Sequence, residues 1–202
     1  ECGFTPDPNA PVLGMITRLA DQKGLDLIAP IAKQILKLGF QFVVLGTGDP
    51  RYEELFTQLA KEHPDQMRAF IGFDPDLAQR IYAGSDMFLM PSRFEPCGLG
   101  QLMALRYGTI PIVRKTGGLA DTIADFSPRT GKGNGFVFEQ YDSLELLKAI
   151  KRALKTYRQP EVWRKLVDTA LRSDFSWSRA AGEYAGLYLR ALEQRKASLE
   201  AA

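Results

Sequence analysis

The chain has 202 residues, of which 45% are hydrophobic and 25% charged, a composition typical of one folded globular domain near the upper end of the usual size range. Its 26 basic and 24 acidic residues nearly balance, which argues against a nucleic-acid or anionic membrane partner. No apolar stretch reaches the length of about 18 residues that would span a bilayer, and two cysteines, Cys2 and Cys97, do not make a disulfide framework. We therefore expect a reducing, soluble compartment and small or uncharged partners.

The first ten residues are polar, contain prolines and lack an initiator Met, so we interpret 1–10 as a linker and the chain as a piece of a longer protein. Short apolar runs then alternate with segments of helical spacing. The predicted strands are Val12–Thr17, Phe40–Gly46, Arg68–Ile71, Met87–Met90, Thr109–Val113 and Gly135–Phe138.

The helices predicted between these strands have apolar stripes and recognisable ends. They are Leu25–Ile35 with a stop at Gly39, Tyr52–Glu62, Pro75–Ala83 with Asp74 as N-cap, Leu99–Arg106 and Gly118–Asp125. After Asp142 the pattern is wholly helical, over Ser143–Arg158, Pro160–Leu171 and Ser178 to about Arg195.

Strands that alternate with helices predict a parallel sheet covered on both faces and joined by right-handed crossovers. The predicted fold class is therefore α/β, a doubly wound, Rossmann-like domain over residues 11–195 that ends in a helical segment. Residues 196–202 are expected to be a frayed tail.

The segment PSRFEPCGLGQ, from Pro91 to Gln101, is the most informative part of the sequence. It places Glu95 between a short apolar strand and a glycine-punctuated helix start. In open α/β sheets, ligands bind in the crevice at the carboxyl ends of strands, where helix N-termini favour anionic groups. A ligand site is therefore expected at Glu95.

A second segment, TRLADQKGLDLI, sets Arg18 and Lys23 in the loop after the first strand. Arg grips phosphate oxygens in a fixed fork and Lys adds a mobile point charge, so the pair suits a diphosphate. Taken singly, either residue is more commonly a solvated loop cation.

Three segments, ITRLADQKGLDLI, PSRFEPCGLGQLMALRYGTIPIVRKTGGLADT and DFSWSRAA, resemble the carboxyl-terminal half of bacterial glycogen synthases and plant starch synthases. The resemblance runs from about Pro11 to about Leu192. It implies the GT-B architecture, in which two Rossmann-like domains face across a cleft and the carboxyl-terminal one holds the sugar nucleotide. It also implies transfer of glucose from ADP-glucose to the nonreducing end of an α-1,4-glucan, with retention at the anomeric carbon.

The resemblance further implies that the acceptor-side amino-terminal domain is missing, so the isolated chain is expected to be nearly inactive. No metal and no cofactor is expected; the partners are ADP-glucose or ADP and, through the missing domain, the glucan. The location would be cytoplasmic in a bacterium and the plastid for a plant starch synthase.

Site roles follow from the positions that match the family. Arg18 and Lys23 would clamp the phosphates, and Glu95 would lie beside the transferred glucose. Alternatively, Glu95 is an acid at a helix N-terminus that interacts favourably with the helix macrodipole. Backbone amides of Cys97, Gly98 and Leu99 would face sugar or phosphate oxygens, while the Cys97 side chain is expected to be a small buried filler. Gly100 stands where the family usually has Thr, so a hydroxyl contact to the donor is expected to be lost.

Phe73 falls where the family places an aromatic that stacks on adenine, although an aromatic after a strand is more often part of the core. Gly46 and Gly48 permit a close backbone approach at the end of a strand. Thr116, Gly117 and Gly118 would line the diphosphate pocket or simply turn a strand into a helix.

His63, the only histidine, lies at a polar helix exit and is expected to be a surface residue. The aromatics Trp163, Trp177 and Tyr184 are expected to pack in the core, with a domain interface as the alternative.

Two other functions remain open at this stage. One is another retaining GT-B transferase, which would usually carry a second Glu eight residues after the first; here that position is Met103. The other is a noncatalytic module that binds a nucleotide sugar.

Overall fold

A computed structural model of the chain describes residues 2–5, 7 and 9–200. In this part of the chain six strands form one sheet in which every neighbouring pair is parallel, with the order β3-β2-β1-β4-β5-β6. The strands are β1 (Val12–Ile16), β2 (Gln41–Gly46), β3 (Met67–Ile71), β4 (Met87–Met90), β5 (Ile110–Arg114) and β6 (Phe136–Phe138). The predicted doubly wound fold is confirmed, and each predicted strand agrees within one residue at either end.

Helices cover both faces of the sheet or follow it in the chain. They are α1 (Leu25–Ile28), α2 (Ala32–Lys37), α3 (Pro50–Glu62), α4 (Pro75–Gly84), α5 (Gly100–Arg106), α6 (Gly117–Thr122), α7 (Ser143–Tyr157), α8 (Pro160–Leu171) and α9 (Trp177–Glu200). Short 3₁₀ turns at Asp21–Lys23 and Ala29–Ile31 precede and follow α1.

Three helix predictions need correction. The continuous helix Leu25–Ile35 is wrong, because Pro30 lacks an N–H and divides it into α1, a 3₁₀ turn and α2. The predicted helix Gly118–Asp125 is too long, because α6 ends at Thr122. Beyond this point the Asn134 side chain bonds the backbone: its Oδ1 accepts from Ala124 N at 2.8 Å and its Nδ2 donates to Thr122 O at 3.1 Å. Residues 196–200 continue α9 rather than fray; 201 and 202 lie outside the described residues.

The strands form because their apolar side chains are buried on both faces of the sheet, as parallel sheets require. Leu13 and Met15 of β1 and Phe42 of β2 are at most 1% exposed, and Phe42 meets Phe56 of α3 edge to face at 6.4 Å. Asp49, Asp74 and Asp142 cap α3, α4 and α7 with their carboxylates, which confirms the predicted cap at Asp74.

The amino-terminal residues are partly packed. Cys2 and Phe4 lie against a small cluster around Val43 and Leu45, and the Arg68 guanidinium stands 5.0 Å above the Phe4 ring. Part of the predicted linker 1–10 therefore contributes to the sheet's cover, while positions 1, 6 and 8 lie outside the described residues.

The chain divides into two compact units, one ending at Leu171 and the other beginning at Arg172. The predicted domain bounds, 11–195, stay a prediction. In the first, Trp163 packs on Tyr157 with ring centroids 5.2 Å apart, in line with the core prediction. In the second, Trp177 is 86% and Tyr184 57% exposed, so core packing is wrong for these two. Both belong to α9, which makes up most of the second unit.

Within the described part of the chain, no helix combines the length and apolar character that crossing a membrane requires. His63 is half-buried at the carboxyl end of α3.

The strand order fixes where a ligand site can form. The chain proceeds outward from β1 to β2 and β3, then crosses back to β4 on the other side of β1. The loops that leave β1 and β4 therefore diverge at their carboxyl ends and open a crevice between them, which is where ligands bind in doubly wound sheets.

Candidate functional site

Two adjoining cavities occupy this crevice. The Phe73 cavity, of about 500 Å³, is lined by residues that follow β1, β2 and β3 and by one face of α4. The Glu95 cavity, of about 200 Å³, lies between the loops after β1 and β4. Both cavities share Ile16, Thr17, Arg18 and Tyr82, so they form one continuous cleft.

A larger cavity of about 780 Å³ lies near α6, β6 and α7 but is a weaker candidate. Its charged side chains pair among themselves: Lys115 with Glu139, Lys148 with Glu145 and Arg152 with Asp125. These groups already satisfy one another, whereas the Glu95 cavity is lined by two cations, Arg18 and Lys23, and one carboxylate, Glu95.

The centre of the Glu95 cavity is an ion pair. Lys23 Nζ donates to Glu95 Oε2 at 2.6 Å, and the two side chains are only 21% and 11% exposed. Ser92 Oγ donates to the same carboxylate oxygen at 3.1 Å. The described residues donate no hydrogen bond to Glu95 Oε1, which leaves that oxygen for a ligand.

A glycine brings Lys23 close to Glu95. Gly24 has φ +74°, and a Cβ at this position would lie 2.1 Å from the carbonyl oxygen of Pro91, so a side chain there would push the two loops apart. Beside it, Arg93 N donates to Gln22 O at 2.9 Å. The loops after β1 and β4 are thus in direct backbone contact on either side of the ion pair.

Arg18 lies at the mouth of the same cavity and lines both cavities. Its Nη2 donates to Gln22 Oε1 at 2.9 Å, which orients the guanidinium. The structure therefore brings together the three residues predicted to be catalytic, Arg18, Lys23 and Glu95, in one site; their roles remain predictions.

The glycine turn at Thr116–Gly118 packs against the Glu95 loop. Gly118 N donates to Glu95 O at 3.0 Å and to Pro96 O at 3.1 Å. A Cβ at Gly117 would lie 2.2 Å from Glu95 O, and one at Gly118 would lie 2.1 Å from Cys97 O. The turn thus supports the loop that carries Glu95, and the Gly118 N–H is already engaged.

Gly46 and Gly48 do permit a close backbone approach, and the approaching backbone is the chain's own. A Cβ at Gly46 would lie 1.9 Å from Thr17 O, and one at Gly48 would lie 2.3 Å from Leu19 O. Gly48 N donates to Glu53 Oε1 at 2.8 Å, and this bond, with that from Thr47, holds the pKa of Glu53 below its usual value. Of the two glycines, Gly46 lines the Phe73 cavity.

The prediction that the Cys97 side chain is a buried filler is wrong, because Cys97 is exposed. The neighbouring Gln101, fully buried at the start of α5, anchors the loop instead: its Nε2 donates to Cys97 O at 3.1 Å and to Gly98 O at 3.0 Å. These bonds occupy the interior, so the Cys97 side chain faces outward. Gly98, Leu99 and Gly100 line the Glu95 cavity.

Phe73 is 88% exposed at the rim of the Phe73 cavity, so the alternative that it belongs to the core is wrong. The sequence signal failed because Phe73 follows β3 by two residues and lies in the loop before α4. Met103, 40% exposed, lines the same cavity.

Sequence reasoning missed a cluster behind the ion pair. The Tyr141 hydroxyl donates to Asp26 Oδ1, Arg93 donates to Asp26 Oδ2 at 2.9 Å, and the Arg93 guanidinium lies 4.2 Å above the Tyr141 ring. Burial, reinforced by the bond to Asp26, raises the pKa of Tyr141 to about 12, so it remains a donor at neutral pH. The cluster ties α1 to the loops after β4 and β6.

Among the described residues, no group of three or more His, Cys, Asp or Glu side chains is arranged to hold a metal ion.

Known proteins resemble this chain over nearly all of its length. It is 60% identical over 190 residues to a glycogen synthase of Desulforudis audaxviator (strain MP104C), covering 94% of this chain and 38% of that protein. It is 56% identical over 197 residues to a glycogen synthase of Thermosipho africanus (strain TCF52B), covering 97% and 41%. The chain thus spans about two fifths of the length of these relatives.

Among solved structures, the catalytic domain of starch synthase IV from Arabidopsis thaliana bound to ADP and acarbose superposes with a TM-score of 0.85. It is 40% identical in sequence, and the match covers 95% of this chain and 41% of that one. Residues 4–167 match the family of glycosyl transferases group 1. Because this match covers most of the chain and includes Arg18, Lys23 and Glu95, the chain belongs to the glycosyl transferases group 1.

Proposed function

We propose that the chain is the donor-binding half of a glycogen synthase that transfers glucose from ADP-glucose to the nonreducing end of an α-1,4-glucan with retention of configuration. The observation that carries this proposal is the Lys23–Glu95 pair, 2.6 Å long, beside Arg18 in the crevice between β1 and β4. The similarity to two bacterial glycogen synthases supports it.

The two cations suit the diphosphate of the donor. Arg18 uses one N–H group on Gln22 and has others for phosphate oxygens, and the Lys23 ammonium has three donors, so it can serve Glu95 and a phosphate together. As the glycosidic bond breaks, the diphosphate gains negative charge, and fixed cations in a partly dry cleft stabilise that charge. This role requires no metal ion, and we propose a transfer that uses none.

Glu95 suits the glucose moiety. Its Oε2 is held by Lys23 and Ser92, which fixes the carboxylate, while Oε1 is available to accept from a sugar hydroxyl. A carboxylate beside the reacting carbon also opposes the positive charge of an oxocarbenium-like transition state. Backbone amides of Cys97 to Gly100 would complete the polar lining.

The nucleoside is assigned to the Phe73 cavity. The cavity, about 500 Å³, has an exposed aromatic ring at its rim, and stacking on a base is worth roughly 1–3 kcal/mol. The starch synthase that superposes on this chain is described as bound to ADP, which supports adenine as the base. The glucan would approach from an amino-terminal domain, and by analogy with bacterial relatives the reaction would take place in the cytoplasm.

Calorimetric titration of the 202-residue chain with ADP, UDP and ADP-glucose tests the proposal. We expect saturable binding of ADP and ADP-glucose, weaker binding of UDP, and loss of ADP binding in Arg18→Ala/Lys23→Ala. The matched control is Lys115→Ala, which removes a lysine from an ion pair of equal length, 2.6 Å, outside the crevice.

Two results would count against the proposal. Unchanged ADP affinity in both single variants would remove the phosphate assignment of Arg18 and Lys23. A folded wild-type chain that binds none of the three nucleotides would overturn the claim that this half carries a donor site.

A further inference from the structure

Tyr82 lies where the two cavities meet. It belongs to α4, is 5% exposed and lines both the Phe73 cavity and the Glu95 cavity. Its ring packs on Phe88 with centroids 4.8 Å apart and runs parallel to Tyr107 at 6.3 Å. The phenol ring is therefore held in place by aromatic neighbours.

The hydroxyl of this buried residue has no hydrogen bond to any part of the chain that the structure describes. Buried polar groups are nearly always paired, since an unpaired one loses its hydration without compensation. The hydroxyl is nevertheless in contact with solvent. Among the described residues, Gln101 Oε1 is the one side-chain N or O atom that is both fully buried and unpaired, so the unpaired Tyr82 hydroxyl is not fully buried. A tyrosine hydroxyl that is unpaired and open to a cleft is a candidate for contact with a ligand.

Gly100 makes room for this hydroxyl. A Cβ at position 100 would lie 3.2 Å from the Tyr82 hydroxyl oxygen, and at the same distance from Met90 Sδ and Phe88 Cε1. The Tyr82 hydroxyl therefore lies beside the space that a side chain at position 100 would enter.

We propose that the Tyr82 hydroxyl donates a hydrogen bond to a phosphate oxygen of the bound nucleoside diphosphate, in the place of a hydroxyl at position 100. The inference rests on the proposed function. With a base at Phe73 and a sugar at Glu95, the diphosphate would pass the junction that Tyr82 and Arg18 share. Burial raises the pKa of Tyr82 to about 12, so the phenol keeps the proton that it would donate.

The test is Tyr82→Phe, which removes the hydroxyl and keeps the ring. A hydrogen bond to a charged group is worth enough to weaken ADP binding about tenfold or more, and we expect this loss in calorimetric titration. Adenosine, which has no phosphate, should bind the variant and the wild type equally. Tyr157→Phe is the matched control. It removes a hydroxyl from a partly buried tyrosine in a different cavity, which Asp86 also lines.

A second variant separates ligand contact from packing. Tyr82→Phe/Gly100→Ser places a hydroxyl back at the junction. The first substitution removes one of the three atoms that would lie 3.2 Å from the new Cβ and leaves Met90 Sδ and Phe88 Cε1 to shift slightly, so ADP affinity should return to within about threefold of the wild type. Gly100→Ser alone should bring no gain, since the new Cβ crowds the Tyr82 hydroxyl.

Each other outcome is decisive. If the wild type binds ADP and Tyr82→Phe binds it equally well, the inference is wrong while the proposed function stands. An equal loss of ADP and adenosine affinity would move the contact to the nucleoside, and a loss that Gly100→Ser does not rescue, together with a lower melting temperature, would make Tyr82 structural; both overturn the inference. A folded wild type that binds no nucleotide overturns the proposed function with it.

Discussion

Lys23 and Glu95 lie 72 positions apart in the sequence, yet Lys23 Nζ contacts Glu95 Oε2 at 2.6 Å across the crevice between β1 and β4. Before a ligand arrives, each of these charges therefore lowers the field of the other. In the proposed donor complex, a phosphate that approaches Lys23 would also approach Glu95, so we expect the carboxylate to weaken binding of the diphosphate itself. The ion pair also fixes the orientation of the Glu95 carboxylate, which we propose faces the glucose.

Glu95→Gln should therefore separate the two parts of the donor. The amide removes the negative charge beside Lys23, so ADP should bind as tightly as to the wild type or a few-fold more tightly. The additional affinity that ADP-glucose shows over ADP should fall, because the oriented carboxylate acceptor is lost. Calorimetry with both ligands measures the two effects, and Glu139→Gln, which alters the Lys115 pair, is the control. Weaker ADP binding by Glu95→Gln would contradict this account.

Replacing Gly24 should damage both fold and site. Gly24 and Gly39 have positive φ values of +74° and +93°, so Ala at either position adopts a left-handed conformation at a cost of about 1–2 kcal/mol. Only at Gly24 does the new Cβ meet backbone, 2.1 Å from Pro91 O, whereas at Gly39 it meets nothing within 4 Å. Overlap of this kind adds about 1–3 kcal/mol.

Urea denaturation should therefore show a larger loss of stability for Gly24→Ala than for Gly39→Ala, and only Gly24→Ala should weaken ADP binding. Equal losses in the two variants would mean that the loops after β1 and β4 are not held together at Gly24.

The local patterns of the sequence predicted the strands, their parallel arrangement and the region of the site, because apolar alternation and glycine positions are read within about ten residues. Pro30 is also a local signal, because a proline inside a helical pattern ends or divides the helix. The contacts behind the site were not accessible in this way. Tyr141 bonds to Asp26 across 115 positions of sequence. The Tyr82 hydroxyl comes close to Gly100 only through the packing of α4 in the folded chain.

Phe73→Ala should weaken nucleotide binding without affecting the fold. The ring is 88% exposed, so its removal leaves no cavity in the core and the melting temperature should not change. If the ring stacks on the base, the loss is roughly 1–3 kcal/mol, which is about fivefold to 150-fold in the dissociation constants of ADP and adenosine. Trp177→Ala, which removes an aromatic that is 86% exposed in α9, is the control. Unchanged adenosine affinity would exclude Phe73 as the base platform.

Asp86 should make the stability of the fold depend on pH with the opposite sign from most carboxylates. Burial raises the pKa of Asp86, although its carboxylate accepts from Val12 N at 2.8 Å. A raised pKa in the folded state means that the stability contributed by this group is present below its unfolded pKa of about 3.9 and is lost as the pH rises through the folded value.

Asp86→Asn keeps an acceptor for Val12 N and has no charge to desolvate. Its free energy of unfolding should therefore increase relative to the wild type as the pH rises from about 4 to about 7 in urea titrations. Asp49→Asn is the matched control. Hydrogen bonds from Arg51 lower the pKa of Asp49, so the stability that its carboxylate contributes is nearly complete above the unfolded pKa of about 3.9, and the difference between this variant and the wild type should change little from about pH 4 to about 7. A difference between Asp86→Asn and the wild type that stays constant with pH would show that Asp86 is as well solvated in the folded chain as in the unfolded one.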